Sequence, residues 1–247
     1  MDNIKLEQLI NTHLNIEQYT DYAPNGLQVE GRSEVKNIVT GVTASQALLD
    51  EAVKLAADAI IVHHGYFWKN EAAVILNMKR KRLKTLLCND INLYGYHLPL
   101  DAHPIMGNNA QLGNIMEVEI DSYITPLLPI GKFAQPITPD DLMARLNNRL
   151  ARQPLYCGDN GPKNIRTIAW CTGGGQSFIQ QAAEAGVDAF VTGEVSEQTI
   201  HIAREMGIHF YAAGHHATER FGVKVLGEWL QKEYGFAVTF VDIANPA

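Results

Sequence analysis

The chain has 247 residues, of which 46% are hydrophobic and 19% charged. That is enough for one large or two small domains with a core that needs no staples, and it excludes intrinsic disorder for the bulk of the chain. The net charge of −7 lacks the basic excess of a general nucleic-acid binder, so nucleic acid is not an expected partner. The one basic stretch, Lys79-Arg80-Lys81-Arg82 with Lys84, reads as a solvated helix face and alone keeps that partner class open.

The first residues carry charge where a secretory signal would be apolar, and no apolar run approaches the roughly 18 residues of a membrane span. The three cysteines, Cys88, Cys157 and Cys171, form no C-x-x-C pair. A disulfide scaffold and a cysteine zinc site are therefore not expected, and the expected location is the reducing cytoplasm.

In chain order, Asp2 or Asn3 can cap a helix carrying Ile4, Leu6, Leu9, Ile10 and Leu14. Residues 22–26 form a turn around Pro24 and Gly26, and residues 27–30 a short strand. A strand is predicted over 38–42. A helix to about Ala57 follows, capped by Thr43 or Ser45. The continuous apolar run 59–62 reads as a strand buried on both faces, and it ends at His63-His64-Gly65. A helix over about 71–88 and a strand over 91–96 lead to His97-Leu98-Pro99-Leu100-Asp101. Residues 117–165, punctuated by prolines, read as an irregular link without chemistry, apart from a helix started by Thr138-Pro139 with Leu142, Leu146 and Leu150. A strand over 168–172, a Gly173-Gly174-Gly175 turn and a helix over 176–185 follow. A strand over 189–192 then ends in Gly193-Glu194, and after a further helix a strand over 208–212 leads to Gly214-His215-His216-Ala217-Thr218-Glu219.

Residues 38–65 align without gaps on 168–195, placing Ile38 on Ile168, Gln46 on Gln176, Ala52 on Ala182 and Asp58-Ala59 on Asp188-Ala189. With a slipped register, His97-x-x-x-Asp101 parallels His215-x-x-x-Glu219. The expected architecture is an α/β fold of two related α/β halves. The first covers 1–125, with 220–247 packing back on it, and the second covers 126–247.

Three strand ends each deliver a cluster of ligand-type residues: His63 and His64; His97 and Asp101; His215, His216 and Glu219. In an open parallel sheet, ligands bind beyond the carboxyl ends of strands. Adjacent histidines on an extended segment point to opposite sides, so His63 and His64 can serve two ions. His215 and Glu219 share one face if a helix starts after Gly214. Imidazole with carboxylate and no thiolate suits iron, zinc, manganese, nickel or cobalt rather than calcium. Two such divalent ions activate water for hydrolysis.

Each residue also has an ordinary reading. Asp101 suits a turn after Pro99, and His216 points away if His215 points in. His13, His201 and His209 show no partner pattern, and nothing supports His103. Gly173–Gly175 is a tight turn whose N–H groups could also meet a phosphate. Glu194 is either an acid/base group or a carboxylate favoured at a helix N-terminus. Tyr66-Phe67-Trp68 either wall a site or fill core, and Cys171 is expected to be buried.

The histidine motifs resemble the NGG-interacting-factor-three-like family, whose members are often labelled GTP cyclohydrolase I type 2 homologues. So do Asp21-Tyr22-Ala23-Pro24-Asn25-Gly26-Leu27-Gln28-Val29-Glu30-Gly31, Val62 to Trp68 and Cys171 to Ser177. The resemblance covers nearly the whole chain. It implies two α/β domains facing each other across a dinuclear metal site, in the compact form without a middle insertion. It also implies His64 and Asp101 on one metal, His63 and His215 on the other, and Glu219 bridging. His97 is then an outer ligand or a proton carrier. Leu98-Pro99 departs from the Thr-Asn of many relatives. The family further implies a homohexameric toroid, a trimer of dimers.

The activity it suggests is hydrolysis of a small molecule such as a nucleotide, with a metal-bound hydroxide attacking C8 of guanine. His97 and Glu194 would move protons. The alternative is a non-catalytic metal-binding, metal-delivery or scaffold protein.

Overall fold

Asp2 starts the first helix, α1 (Asn3–Leu14): its carboxylate accepts the free N–H groups of Ile4 and Lys5 at 3.1 Å each. Leu6, Ile10 and Leu14 turn inward from it. The computed structural model describes residues 1–247. They fall into two units, Met1–Leu100 with Gly222–Ile243, and Asp101–Phe221 with Ala244–Ala247. No helix is long and apolar enough to cross a membrane.

The first unit is built on a five-stranded sheet in the order β1 (Gly26–Val29), β4 (Asn92–Gly95), β3 (Ala59–His64), β2 (Asn37–Thr43), β11 (Ala237–Phe240). Only β1 runs antiparallel. The apolar run of β3 is buried along its length because it is the central strand. Ser45 caps α2 (Gln46–Lys54), which packs Leu48, Leu49 and Ala52 with Val39, Ile60, Val62 and Leu93. Each such aliphatic side chain contributes about 1.5–3 kcal/mol on full burial. Helix α3 (Asn77–Cys88) begins at Asn77 rather than at 71. The β-branched Val74 and Ile75 precede it in exposed, non-helical chain, and no side chain caps its start.

The second unit carries a six-stranded sheet in the order β5 (Glu119–Thr125), β6 (Leu128–Ile137), β8 (Ile165–Cys171), β9 (Ala189–Thr192), β10 (His209–Ala212), β7 (Leu155–Cys157). Strands β8, β9 and β10 are parallel, and the other pairings are antiparallel. The segment expected to be an irregular link thus supplies three strands and α6 (Pro139–Leu150), whose Thr138–Asp141 capping box is complete. It hides in the sequence because β5 is exposed or half-exposed throughout, with no apolar run, and the β6–β8 register breaks between Lys132 and Ile137, around Pro136.

The first unit ends at Leu100, not at 125. Helix α5 (Asn108–Met116) buries Leu112 and Met116 in the same cluster as Ile168 and Trp170. The C-terminal segment does return to the first unit, where β11 pairs in parallel with β2.

The repeat seen in the sequence is kept at hydrogen-bond detail. Asp58 Oδ2 accepts the backbone N–H groups of Lys36 and Asn37 at 2.9 and 2.8 Å. Asp188 Oδ2 accepts those of Arg166 and Thr167 at 2.8 and 2.9 Å. Ile38 pairs with Ala59, and Ile168 with Ala189, in the same parallel register. In this frame Glu194 occupies the position of His64.

Candidate functional site

In the first unit, β3 ends in His63, fully buried, and His64, half-buried. His63 Nδ1 lies 2.9 Å from the Tyr96 carbonyl oxygen. A carbonyl only accepts, so the proton sits on Nδ1 and Nε2 carries the lone pair. His64 Nδ1 lies 3.2 Å from Thr43 Oγ1. His97 follows β4. Its backbone N–H donates to Asn25 Oδ1 at 2.7 Å, and its Nδ1 lies 2.9 Å from Asp21 Oδ1. The ligand atoms of His63, His64 and His97 all fall within 4.8 Å of one another. Trp68 and Tyr22 stand edge-on to the His97 ring at 5.0 and 4.9 Å, so of the Tyr66-Phe67-Trp68 motif Trp68 lies against this cluster. Tyr66 instead packs in the core, with its hydroxyl on the Ala44 carbonyl. Burial pushes the Asp21 carboxyl up. Hydrogen bonds from His97 and Asn25, with the charge of His97 and the Leu98 N–H, outweigh it and bring the carboxyl down to about 2.

In the second unit, α9 (His215–Tyr234) begins beyond β10 and sets His215 and Glu219 one turn apart. His215 Nε2 lies 3.1 Å from Glu219 Oε2, and its Nδ1 lies 2.7 Å from Glu194 Oε1. Gln176 donates to the other Glu194 oxygen at 3.2 Å. Burial lowers the His215 pKa, but the hydrogen bond and charge of Glu219, then those of Glu194, raise it to about 9.

Gly173, at φ +64°, lies against Glu219, and its N–H donates to Thr218 Oγ1 at 3.0 Å. Asp101, in the one-turn helix α4 (Leu98–Ala102), is buried. Its Oδ1 accepts from Asn108 Nδ2 at 2.9 Å and Thr172 Oγ1 at 3.3 Å. Asp101 and Glu219 bring carboxylate oxygens within 4.8 Å of each other. Burial, and then these two carboxylates, push the Cys171 thiol up, which leaves it protonated and unreactive.

The structure therefore gathers His63, His64 and His97 in one unit, and Asp101, Glu194, His215 and Glu219 in the other. Three other histidines make contacts of their own. His103 accepts the N–H groups of Ile105 and Met106 at a turn. His209 sits between Tyr156 Oη and the Pro162 carbonyl, and His13 stacks on Trp229 at 3.9 Å. Lys79 of the basic stretch pairs with Glu71 and lies over the Phe67 ring. Sequence reasoning missed the residues behind the ligands: Asp21, Asn25, Thr43, Asn108 and Thr172. Asp21, Asn25 and Thr172 lay in the motifs that carried the resemblance and Thr43 was read as a helix cap, but nothing local gave any of them a place behind a ligand.

The donors fit divalent metal. His63, His97 and His215 each set Nδ1 against an oxygen that only accepts, the arrangement that turns Nε2 towards a metal or a proton, whereas the Thr43 hydroxyl beside His64 Nδ1 can donate or accept. With carboxylates and no thiolate among them, the set suits zinc, iron, manganese, cobalt or nickel.

Comparison with known proteins agrees with the resemblance of the motifs. The family model for DUF34/NIF3 (NGG1p interacting factor 3) matches residues 1–246. A Yersinia pestis protein named GTP cyclohydrolase 1 type 2 homolog is 65% identical over 247 residues, covering all of both chains. The Escherichia coli K12 protein of the same name is 64% identical, again over all of both. The solved structure of protein ybgI superposes with a TM-score of 0.99 at 64% identity, and that of TTHA1606 from Thermus thermophilus with 0.92 at 33%; both cover the whole of both chains. The chain belongs to the DUF34/NIF3 family.

Proposed function

We propose that this protein is a dinuclear metal-dependent hydrolase of a small-molecule substrate, with His63, His64, Asp101, His215 and Glu219 as the ligand set. The observation that carries this reading is that acceptor oxygens beside Nδ1 of His63 and His215 present their Nε2 atoms as ligands, in a set completed by carboxylates. Divalent ions held there supply Lewis acidity and lower the pKa of water. The chain's own groups do the rest. Asn108 and Thr172 orient Asp101 through its Oδ1. Glu194, behind His215, fixes that ring's tautomer. His97 takes and returns the proton. The name of the relatives, GTP cyclohydrolase 1 type 2 homolog, supports a nucleotide whose heteroaromatic ring is opened by water. The exposed apolar side chains of Val74, Ile75, Leu76 and Met78 support self-association, which we propose ends in a hexameric ring.

The test is elemental analysis of protein purified without chelator or metal-binding tag, beside His64→Ala and Glu219→Ala. Two divalent ions per chain, reduced in both variants, is the expected result. Turnover of GTP or another nucleotide, lost in His97→Ala with metal retained, then establishes the hydrolase. Metal at background after reconstitution refutes it. Full metal with no turnover of any nucleotide favours a metal carrier.

A further inference from the structure

We propose that Asp21 is a positioning residue that makes His97 a proton acceptor, so that the two form a carboxylate–imidazole dyad. The role given to the dyad in catalysis rests on the hydrolase reading; the geometry does not.

The Asp21 carboxylate accepts from five groups. Oδ1 takes the N–H of Tyr22 at 2.7 Å and that of Ala23 at 3.2 Å, and it faces His97 Nδ1 at 2.9 Å. Oδ2 takes Asn25 Nδ2 at 3.0 Å and the Leu98 N–H at 2.9 Å. Three of these are backbone N–H groups, which can only donate. The Asn25 amide is oriented independently, because its Oδ1 must accept the His97 N–H. Asp21 is thus ionised and acceptor-only, and its side chain is only 4% exposed. His97 must donate from Nδ1, and the lone pair falls on Nε2.

The loop from Asp21 to Asn25 therefore grips His97 at its backbone N–H, its imidazole and the next residue's N–H. The Tyr22 and Trp68 rings stand edge-on to the same imidazole. Such a clamp fixes both the tautomer and the direction of Nε2, and a carboxylate behind Nδ1–H stabilises the imidazolium once it forms. In a hydrolysis, the attacking water gives its proton to Nε2. The O–H electron pair stays on oxygen and forms the bond to the substrate's electrophilic atom. The imidazolium then returns the proton to the departing atom.

The experiment is two-bond 15N–1H correlation spectroscopy of the full chain, labelled with 15N-histidine and stripped of metal, with His97→Gln assigning the His97 signal. The wild-type protein is expected to show His97 in the Nδ1–H form. Asp21→Ala is expected to lose that form in favour of the Nε2–H tautomer that free imidazole side chains prefer. The His209 signals should not move, since their partners Tyr156 and Pro162 lie elsewhere. An Nε2–H pattern for His97 in wild type overturns the proposal without any variant. So does an unchanged Nδ1–H pattern in Asp21→Ala. Metal content is measured in parallel: wild type without metal refutes the hydrolase and leaves the tautomer assignment standing.

Discussion

Gly173→Ala is the sharpest probe of how the backbone shapes the second unit's carboxylates. Gly173 sits at φ +64°, and a Cβ built there meets Glu219 Oε1 well inside contact distance, with Glu219 Cδ at 2.9 Å and His215 Nε2 at 3.0 Å. The left-handed backbone alone costs alanine about 1 kcal/mol. The carboxylate must also retreat by roughly 1.5 Å, since non-bonded heavy atoms settle near 3.5 Å. Glu219 is 3% exposed, so that retreat disturbs packed surroundings and adds about 1–3 kcal/mol. The sum, about 2–4 kcal/mol, corresponds to a fall in Tm of roughly 4–16 °C for a chain of this size. Metal content should fall as well, because the displaced group is a proposed ligand. Gly174→Ala is the matched control. Its Cβ has no neighbour nearer than 3.8 Å and its φ is not positive, so it should stay within about 0.5 kcal/mol of wild type. Thermal unfolding and elemental analysis of both variants read this out. A Gly173→Ala protein with wild-type Tm and metal, or a Gly174→Ala protein equally damaged, refutes the reasoning.

Three further outcomes follow from the same structure. The metal-free protein should lose stability as pH rises from 6.5 towards 9. His215 is raised to about 9 when folded, so its contribution is complete below the unfolded value and vanishes above the folded one; urea titrations across that window, with His215→Gln flattening the slope, check this. Asp58→Asn and Asp188→Asn should each cost about 1–3 kcal/mol by urea unfolding, since each disturbs a charged acceptor of two backbone N–H groups. Unequal effects, with one near zero, would show that the repeat is formal rather than energetic. Thr138→Ala, which breaks the capping box of α6, should cost about 1 kcal/mol and leave metal content unchanged.

What the sequence reveals follows from which physical signals are local. The inner strands at 59–62 and 189–192 were legible because each is buried along its length, so Ala59 to Val62 and Ala189 to Val191 are uninterrupted apolar runs. Asp58 and Asp188, each before its run, marked the repeat because one carboxylate closes the same pair of backbone donors in both units. Strands β5 and β6 were illegible for the opposite reason: one is exposed and the other irregular, so neither leaves an apolar signature. Candidate ligands announce themselves by residue type, whereas their supports do not. Asp21 lies 76 residues from His97 and Thr172 lies 71 from Asp101, and nothing in a local window links them.

The repeat makes the same point chemically. Asp58 and Asp188 kept their role because the backbone donors they satisfy are the same in any sequence. At the strand ends, where side chains rather than backbone decide the chemistry, His64 and Glu194 occupy one position and differ. In the first unit that position carries an imidazole in a cluster of three, whereas in the second it carries a carboxylate behind His215. Exchanging the two, by His64→Glu in one variant and Glu194→His in another, should leave the sheets folded. Each should still change metal content, which would locate the functional difference between the halves in the side chains at that one frame position rather than in the frame.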